Sequence, residues 1–149
     1  MTIRKQILQT IAALFQAVPD ATVFRSREEA LARSEGIGIF VRPEEEAPEN
    51  RAGGGPNGLT LRNFTAVITV IARAKGAPQA PPADDVADPV MEKIHALLTA
   101  DVTLGGMVAT ILEHSTKWDF EVADGTALAA EMRYIVRYMT AANTLSASI

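Results

Sequence analysis

The segment Glu131-Met132-Arg133-Tyr134-Ile135-Val136-Arg137-Tyr138-Met139 decides the fold. Read with a period of two, one side carries only apolar or aromatic residues: Met132, Tyr134, Val136 and Tyr138. The other side is mostly charged, with Glu131, Arg133 and Arg137 beside the apolar Ile135 and the closing Met139. This alternation is typical of a strand with one face on a core and the other in water. We therefore predict a central antiparallel strand over residues 131–139.

A helix over the same segment is the alternative interpretation. Four apolar residues also share a face at helical spacing, namely Leu128, Met132, Ile135 and Met139. That helix would bury both tyrosines poorly and would leave Val136 outside its apolar face. Aromatic and β-branched residues favour a pleated surface, so the strand is preferred.

The composition indicates an ordinary globular protein of one domain, residues 1–149, with 48% hydrophobic and 21% charged residues. Its formal net charge is −4, which disfavours nucleic acid binding, because phosphates attract positively charged surfaces. The absence of cysteine excludes disulfides and cysteine-based chemistry. No stretch approaches the roughly 20 apolar residues of a membrane span, and no signal core follows Met1. We therefore expect a cytoplasmic product with no membrane partner.

Two amphipathic helices are predicted. Apolar residues at helical spacing define the first: Ile3, Ile7, Ile11, Leu14 and Phe15. Thr2 can cap this helix and Pro19 ends it. The second helix is predicted to start with Asp88 as cap and Pro89 as first helical residue. Its apolar face consists of Val90, Ile94, Leu97 and Leu98.

The other patterned segments read as strands, at about residues 23–24, 36–41, 59–73 and 113–122. The longest has one face made of Phe64, Ala66, Ile68, Val70 and Ala72. Polar, Gly-rich or Pro-rich composition predicts flexible loops at 44–58 and 76–88. The expected fold class is α+β, an antiparallel or mixed sheet with two main α-helices packed on one face.

The search for reactive groups yields few candidates. His95 and His114 lack metal-ligand spacing, and a structural role is the simpler interpretation of His95. His114 beside Glu113 could serve a small enzyme if Asp119 converged on them, although no nucleophile motif accompanies them. Trp118 near Phe120 could anchor a partner, but sheet packing is the simpler interpretation. We expect no catalytic, cofactor-binding or metal-binding residues.

The order of elements resembles that of the bacteriophage tail terminator family, the minor tail protein U-like group. The segment 98–106, of the form Leu-x-x-Asp-x-x-Leu-Gly-Gly, and the closing strand 131–140 carry most of the resemblance. Members of that family form a ring, usually of six copies, on the end of the tail tube. The resemblance implies a non-enzymatic virion protein that ends tube polymerisation and provides the head-joining surface. Implied partners are other copies, the major tail tube protein and a head-completion protein.

Charged residues are the candidates for contacts with a neighbouring subunit or the tube: Arg25, Arg27, Glu44, Glu45, Glu46, Arg133 and Arg137. The implied location is the host cytoplasm during assembly and then the virion tail. Another head–tail connector or tail-completion protein is the alternative, and a small enzyme using His114 is the third possibility.

Overall fold

The computed structural model describes residues 1–25, 36–50, 58–73, 81–120, 127–141 and 144–146. The helices are α1 (Ile3–Leu14), continued by a 3-10 turn (Phe15–Ala17), and α2 (Ala83–Ala100). The strands are β1 (Ala21–Arg25), β2 (Ile37–Asn50), β3 (Leu59–Arg73), β4 (Thr110–Phe120) and β5 (Ala127–Ala141). They form one mixed sheet in the order β1-β2-β3-β5-β4, in which only the β1–β2 pairing is parallel. Both helices pack on one face, which confirms the predicted α+β class.

Strand β5 confirms the prediction made for residues 131–139. It pairs with β3 along its whole length and with β4 on its other side, so it lies inside the sheet. From Leu128 onward its side chains alternate between buried and half-buried. Tyr134 and Tyr138 are 2% and 1% exposed on the face that the helices cover. The helical alternative is wrong, because Ile135 lies on the face opposite the tyrosines.

The core lies between this face and the two helices. The predicted inner face of β3 is buried throughout, and the same core contains Ile7 and Ile11 of α1 and Ile94 and Leu98 of α2. These helix positions recur at three- or four-residue spacing, so one stripe of each helix meets the sheet. The Thr2 hydroxyl accepts a hydrogen bond from the Lys5 backbone N–H at 3.3 Å, as predicted for the cap of α1.

Both predicted loops are shorter than expected at the ends that the structure describes. Residues 44–50 continue β2, and those from Glu45 pair with β3 as far as Asn50 opposite Thr60, while 51–57 lie outside the described residues. The acidic composition predicts a loop here and not a strand. The strand forms because its carboxylates are stabilised by arginines distant in sequence rather than by burial of apolar surface.

The second helix also begins earlier than predicted. It starts at Ala83 after Pro82, and Pro89 lies inside it. Pro89 lacks the N–H that would bond one turn back, a defect tolerated here because this residue lies on the exposed side. Ala83 and Ala87 are 1% and 0% exposed, and their packing holds the extra turns against the sheet. Residues 74–80 lie outside the described part of the chain.

The segment 98–106 contains the last residues of α2, which ends at Ala100, and the turn that leads toward β4. The Asp101 carboxylate accepts hydrogen bonds from the Thr103 backbone N–H at 3.0 Å, the Thr103 hydroxyl at 2.6 Å and the Gly105 N–H at 2.8 Å. These bonds lower the pKa of Asp101, the Thr103 hydroxyl contributing most. Gly105 and Gly106 have φ values of 71° and 91°, a region that favours glycine. The segment therefore directs the chain from the helix layer into the sheet edge.

Candidate functional site

A bulge in β2 separates the three consecutive glutamates onto different sides of the sheet. The register with β3 shifts between Pro43 and Glu45. Glu46 then pairs with Phe64, whose side chain lies in the core, so Glu46 is on the side that the helices cover. Glu44 contacts an arginine on the opposite side, called here the open face. The sequence signal for this split is weak, because a bulge shifts the alternation by one residue.

On the helix side, Glu46 is the centre of a group called here the Glu46 cluster, made of Arg4, Glu46, Arg62, Tyr138 and Thr140. Its carboxylate lies 2.8 Å from the Arg4 guanidinium and 3.6 Å from that of Arg62. It also accepts a hydrogen bond from the Tyr138 hydroxyl. Arg62 donates to the hydroxyl of the fully buried Thr140 at 2.9 Å. The cluster ties α1 to three strands.

Burial and the Glu46 carboxylate together raise the pKa of the Tyr138 hydroxyl, with burial the larger cause. The phenol therefore stays protonated and donates to Glu46. The side chains of Glu46 and Arg62 are only 11% and 14% exposed. Such charges are stable inside a protein when each has a partner, which is the arrangement here.

On the open face, Arg133 binds two carboxylates. Its Nε and Nη2 donate to the two oxygens of Glu44 at 2.8 and 3.0 Å, and Nη2 donates to Glu131 at 2.7 Å. The Arg42 guanidinium lies 3.8 Å from the Glu131 carboxylate and adds a second arginine to this group of charges. The hydrogen bond from Arg133 lowers the pKa of Glu44, and the bonds to Glu44 and Glu131 raise the pKa of Arg133. We call this group the Arg133 ladder.

The remaining predicted contact residues lie apart from the ladder. Arg137 donates to Asn63 at 3.0 Å and to Glu49 at 3.4 Å. Arg25 donates to the Val41 carbonyl at 2.9 Å, and burial lowers its pKa. Glu45 is exposed.

Arg27 lies outside the described residues. The structure thus brings Arg133 to Glu44 within one chain and leaves Arg25 away from the glutamates. An interface role for the seven predicted residues stays a prediction.

The residues of the enzyme hypothesis do not converge. Glu113 pairs with Tyr134 and lies on the helix side, whereas Asp119 pairs with Ala129 on the open face. His114 is exposed.

The Nδ1 atom of His95 forms a hydrogen bond with the Tyr134 hydroxyl at 2.8 Å. The same atom lies 3.6 Å from the Glu113 carboxylate. Burial raises the pKa of Tyr134 to about 12. This contact fits the structural role predicted for His95. No group of three possible metal ligands occurs within the described ranges.

Strand β4 presents apolar side chains at the edge of the sheet. Trp118 is 51% exposed and Phe120 is 46% exposed, and both lie on the helix side. Leu112, 46% exposed, lies on the open face. Sheet packing, the simpler interpretation of Trp118, therefore covers only half of that side chain. The weak alternation of β4 is the sequence signal of a strand exposed on both faces.

A cavity of about 580 Å³ lies at the other edge of the sheet. It opens between the end of the 3-10 turn, the start of β2 and one side of α2. Its lining is Ala17, Val18, Pro19, Asp20, Ile37, Val86, Pro89, Val90 and Lys93. Most of these side chains are apolar, and the two charges among them have opposite sign. The cavity is within the size range of sites that bind small molecules or single large side chains.

No helix among the described residues is both long and apolar enough to cross a membrane. The sequence matches no protein family model and no curated protein. Among solved structures, a chain of the "Virion of native gene transfer agent (GTA) particle" is similar over 93% of this chain and 92% of its own length. The sequence identity is 14% and the TM-score is 0.44.

Proposed function

We propose that this protein is a structural protein of a bacteriophage-like virion that caps the tail tube as a ring. In this role it ends tube polymerisation and provides the surface to which the head is joined. Its partners are further copies of itself, the major tail tube protein and a head-completion protein. It acts without catalysis, first in the host cytoplasm and then in the virion tail.

The observation that carries this proposal is the open β4 edge. Ten of the eleven residues of β4 pair with β5, no other strand among the described residues pairs with β4, and the strand presents exposed Trp118 and Phe120. A long edge strand with exposed aromatic groups favours association with another chain, and monomeric proteins usually cover or shorten such an edge. The chain is therefore better suited to an assembly than to isolated action.

The resemblance described above specifies which assembly. The motif at 98–106 ends α2 and begins the turn toward β4, and the closing strand 131–140 pairs with β4 from Thr110 to Lys117. The two segments that carry most of the resemblance thus adjoin the exposed edge. A fold alone hosts many functions, so this link between motif and surface supports the proposal more than the architecture does.

Electron microscopy of the purified protein mixed with growing tail tubes tests the proposal. We expect a ring at one end of each tube and a tube length that stops increasing once the protein is added. Tubes without the protein provide the control for growth. Tubes that grow at the same rate with bare ends would contradict tail capping, and rings that bind heads but no tubes would favour the head–tail connector alternative.

A further inference from the structure

The aromatic pair on β4 and the cavity at the β1 edge lie at the same level of the sheet. Trp118 pairs with Ala130, which pairs with Val70. Val70 pairs with Ile39, and Ile39 pairs with Val23 of β1. This row crosses all five strands and begins at Trp118 on one edge. It reaches the opposite edge at β1, the strand that follows the cavity residue Asp20.

The same row fixes the side of the sheet. Ala130, Val70 and Ile39 are fully buried under the helices. Trp118 belongs to the same row, so its side chain projects on the side of the sheet where the helices lie, at the edge next to β5. The cavity lies in that same layer, because Val86 and Pro89 of α2 form one wall and Ile37 of β2 forms another. An exposed aromatic projection and an apolar hollow therefore occupy opposite ends of one layer.

We propose that Trp118 and Phe120 of one copy insert into this cavity of the next copy, so that copies associate head to tail. Two copies placed side by side with the same orientation bring the two surfaces together at one level. Such a contact is heterologous, because each copy uses two different surfaces, and a repeated heterologous contact closes into a ring when its rotation permits. The inference rests on the proposed function, since ring assembly requires a contact between copies.

Chemistry at the two surfaces fits a second copy of the chain. The cavity is lined mainly by aliphatic and proline side chains, and an indole inserted there would bury a large apolar area. Neither surface carries a net charge, because Trp118 and Phe120 are uncharged and the cavity is lined by one residue of each sign, Asp20 and Lys93. Two surfaces without net charge do not repel each other as like-charged surfaces would.

Matched variants of the two surfaces test the inference through the mass of the assembly, measured by light scattering. Trp118→Glu removes the projection, and Val86→Glu places a charge in the cavity. We expect each variant alone to associate at least about 30-fold more weakly than the unaltered protein, the loss typical of a central aromatic contact. Leu112→Glu is the control, because it changes an equally exposed apolar residue of the same strand on the open face.

Mixing the two variants distinguishes head-to-tail contact from other modes. Trp118→Glu retains an intact cavity and Val86→Glu retains an intact Trp118, so a 1:1 mixture should form dimers and no larger species. The same two variants would stay monomeric together if two β4 edges met each other, and this result would overturn the inference. Circular dichroism of each variant checks that its monomer is folded.

Cross-linking captures the contact when association is weak. The chain has no cysteine, so Lys117→Cys and Lys93→Cys introduce the only thiols. A bismaleimide should join the two variants when they are mixed, and neither variant to itself, both at high concentration and on tail tubes. Absence of the mixed product under both conditions would overturn the inference.

The outcome on tubes separates this inference from tail capping. If Trp118→Glu forms normal rings on tubes, the head-to-tail contact is wrong and tail capping stands. If the unaltered protein cross-links head to tail but leaves tubes bare, tail capping is wrong and the contact stands. The emission of Trp118, the single tryptophan, should shift to shorter wavelength on assembly as its exposed half leaves water.

Discussion

Glu44 and Glu46 are two residues apart, yet they stabilise opposite sides of the sheet. Glu46 lies beneath α1 with two arginines and a tyrosine, and its side chain is 11% exposed. Glu44 lies on the open face against Arg133, and its side chain is 36% exposed. The bulge between Pro43 and Glu45, rather than residue type, produces the difference. One acidic run can therefore supply both a largely covered carboxylate that holds several elements together and an ion pair at the surface.

The two sides of the sheet also differ in what their charged groups hold together. The Glu46 cluster joins α1 to β2, β3 and β5 and contributes to the fold of one copy. The Arg133 ladder joins strands that are already paired through their backbones, so we expect its loss to leave the fold intact. A contact between the ladder and another chain stays a prediction.

Replacing each glutamate by alanine gives the largest expected difference between the two sides. Glu46→Ala should lower the free energy of unfolding by about 2–3 kcal/mol, because Arg62 and the Tyr138 hydroxyl lose a partner in a largely water-free site. Glu44→Ala should change it by less than about 1 kcal/mol, as is typical of exposed ion pairs. Urea denaturation of both variants measures the difference. Equal losses would contradict the assignment of Glu46 to the covered side.

The elements that could be predicted from the sequence are those with regular patterns. The strict alternation at 131–139 and the helical spacing from Ile3 to Phe15 each match one regular element, because one face must be buried. The extension of β2 through the glutamates could not be predicted in this way. Its stability comes from Arg4, Arg62 and Arg133, which are distant in sequence, and a single sequence does not show such pairings.

The candidate surfaces were predicted only in part. The sequence predicts both Arg133 and Glu44 as contact residues, but their ion pair within one chain depends on a bulge that composition does not reveal. The residue type of Trp118 indicates a possible anchor. The exposure of Trp118 depends on the position of β4 at the sheet edge. The cavity depends on the start of α2 at Ala83, because the wall residue Pro89 then lies inside the helix.

The stability of the protein should fall at alkaline pH, because tyrosines are buried on the covered side of the sheet. Burial raises the pKa of Tyr134 to about 12, whereas the ordinary value is 10.0. Below the ordinary value the phenol is protonated in both states and its full contribution to stability is present. As pH rises further, the unfolded chain loses the proton first, and the contribution falls until the folded-state pKa is passed. We expect a loss of about 2 kcal/mol between pH 9 and 12 from this residue.

Tyr134→Phe isolates that effect, because phenylalanine keeps the ring and does not titrate. The variant also loses the hydrogen bond to His95, so its stability is compared with itself at the two pH values. Its alkaline loss should be smaller than that of the unaltered protein in urea denaturation at pH 9 and 11.5. The same steep loss in both proteins would show that other groups control alkaline unfolding.

The smallest expected effect comes from the Arg133 ladder in acid and in salt. Arg133 lowers the pKa of Glu44, so the stabilisation from this pair is complete above the pKa of the unfolded chain and disappears as pH falls through the folded-state pKa. At neutral pH, Glu44→Gln should cost less than about 1 kcal/mol, and 1 M salt should reduce that cost, because the pair is partly exposed.

Glu45→Gln provides the matched control for that measurement, since Glu45 is the exposed neighbour in the chain. Thermal unfolding of the three proteins at low and high salt should separate Glu44→Gln from the others at low salt alone. A difference that persists at 1 M salt would mean that Glu44 stabilises the sheet through its hydrogen-bond geometry with Arg133 rather than through charge. The two glutamates would then both act through hydrogen bonds to arginine, and they would differ only in how exposed their side chains are.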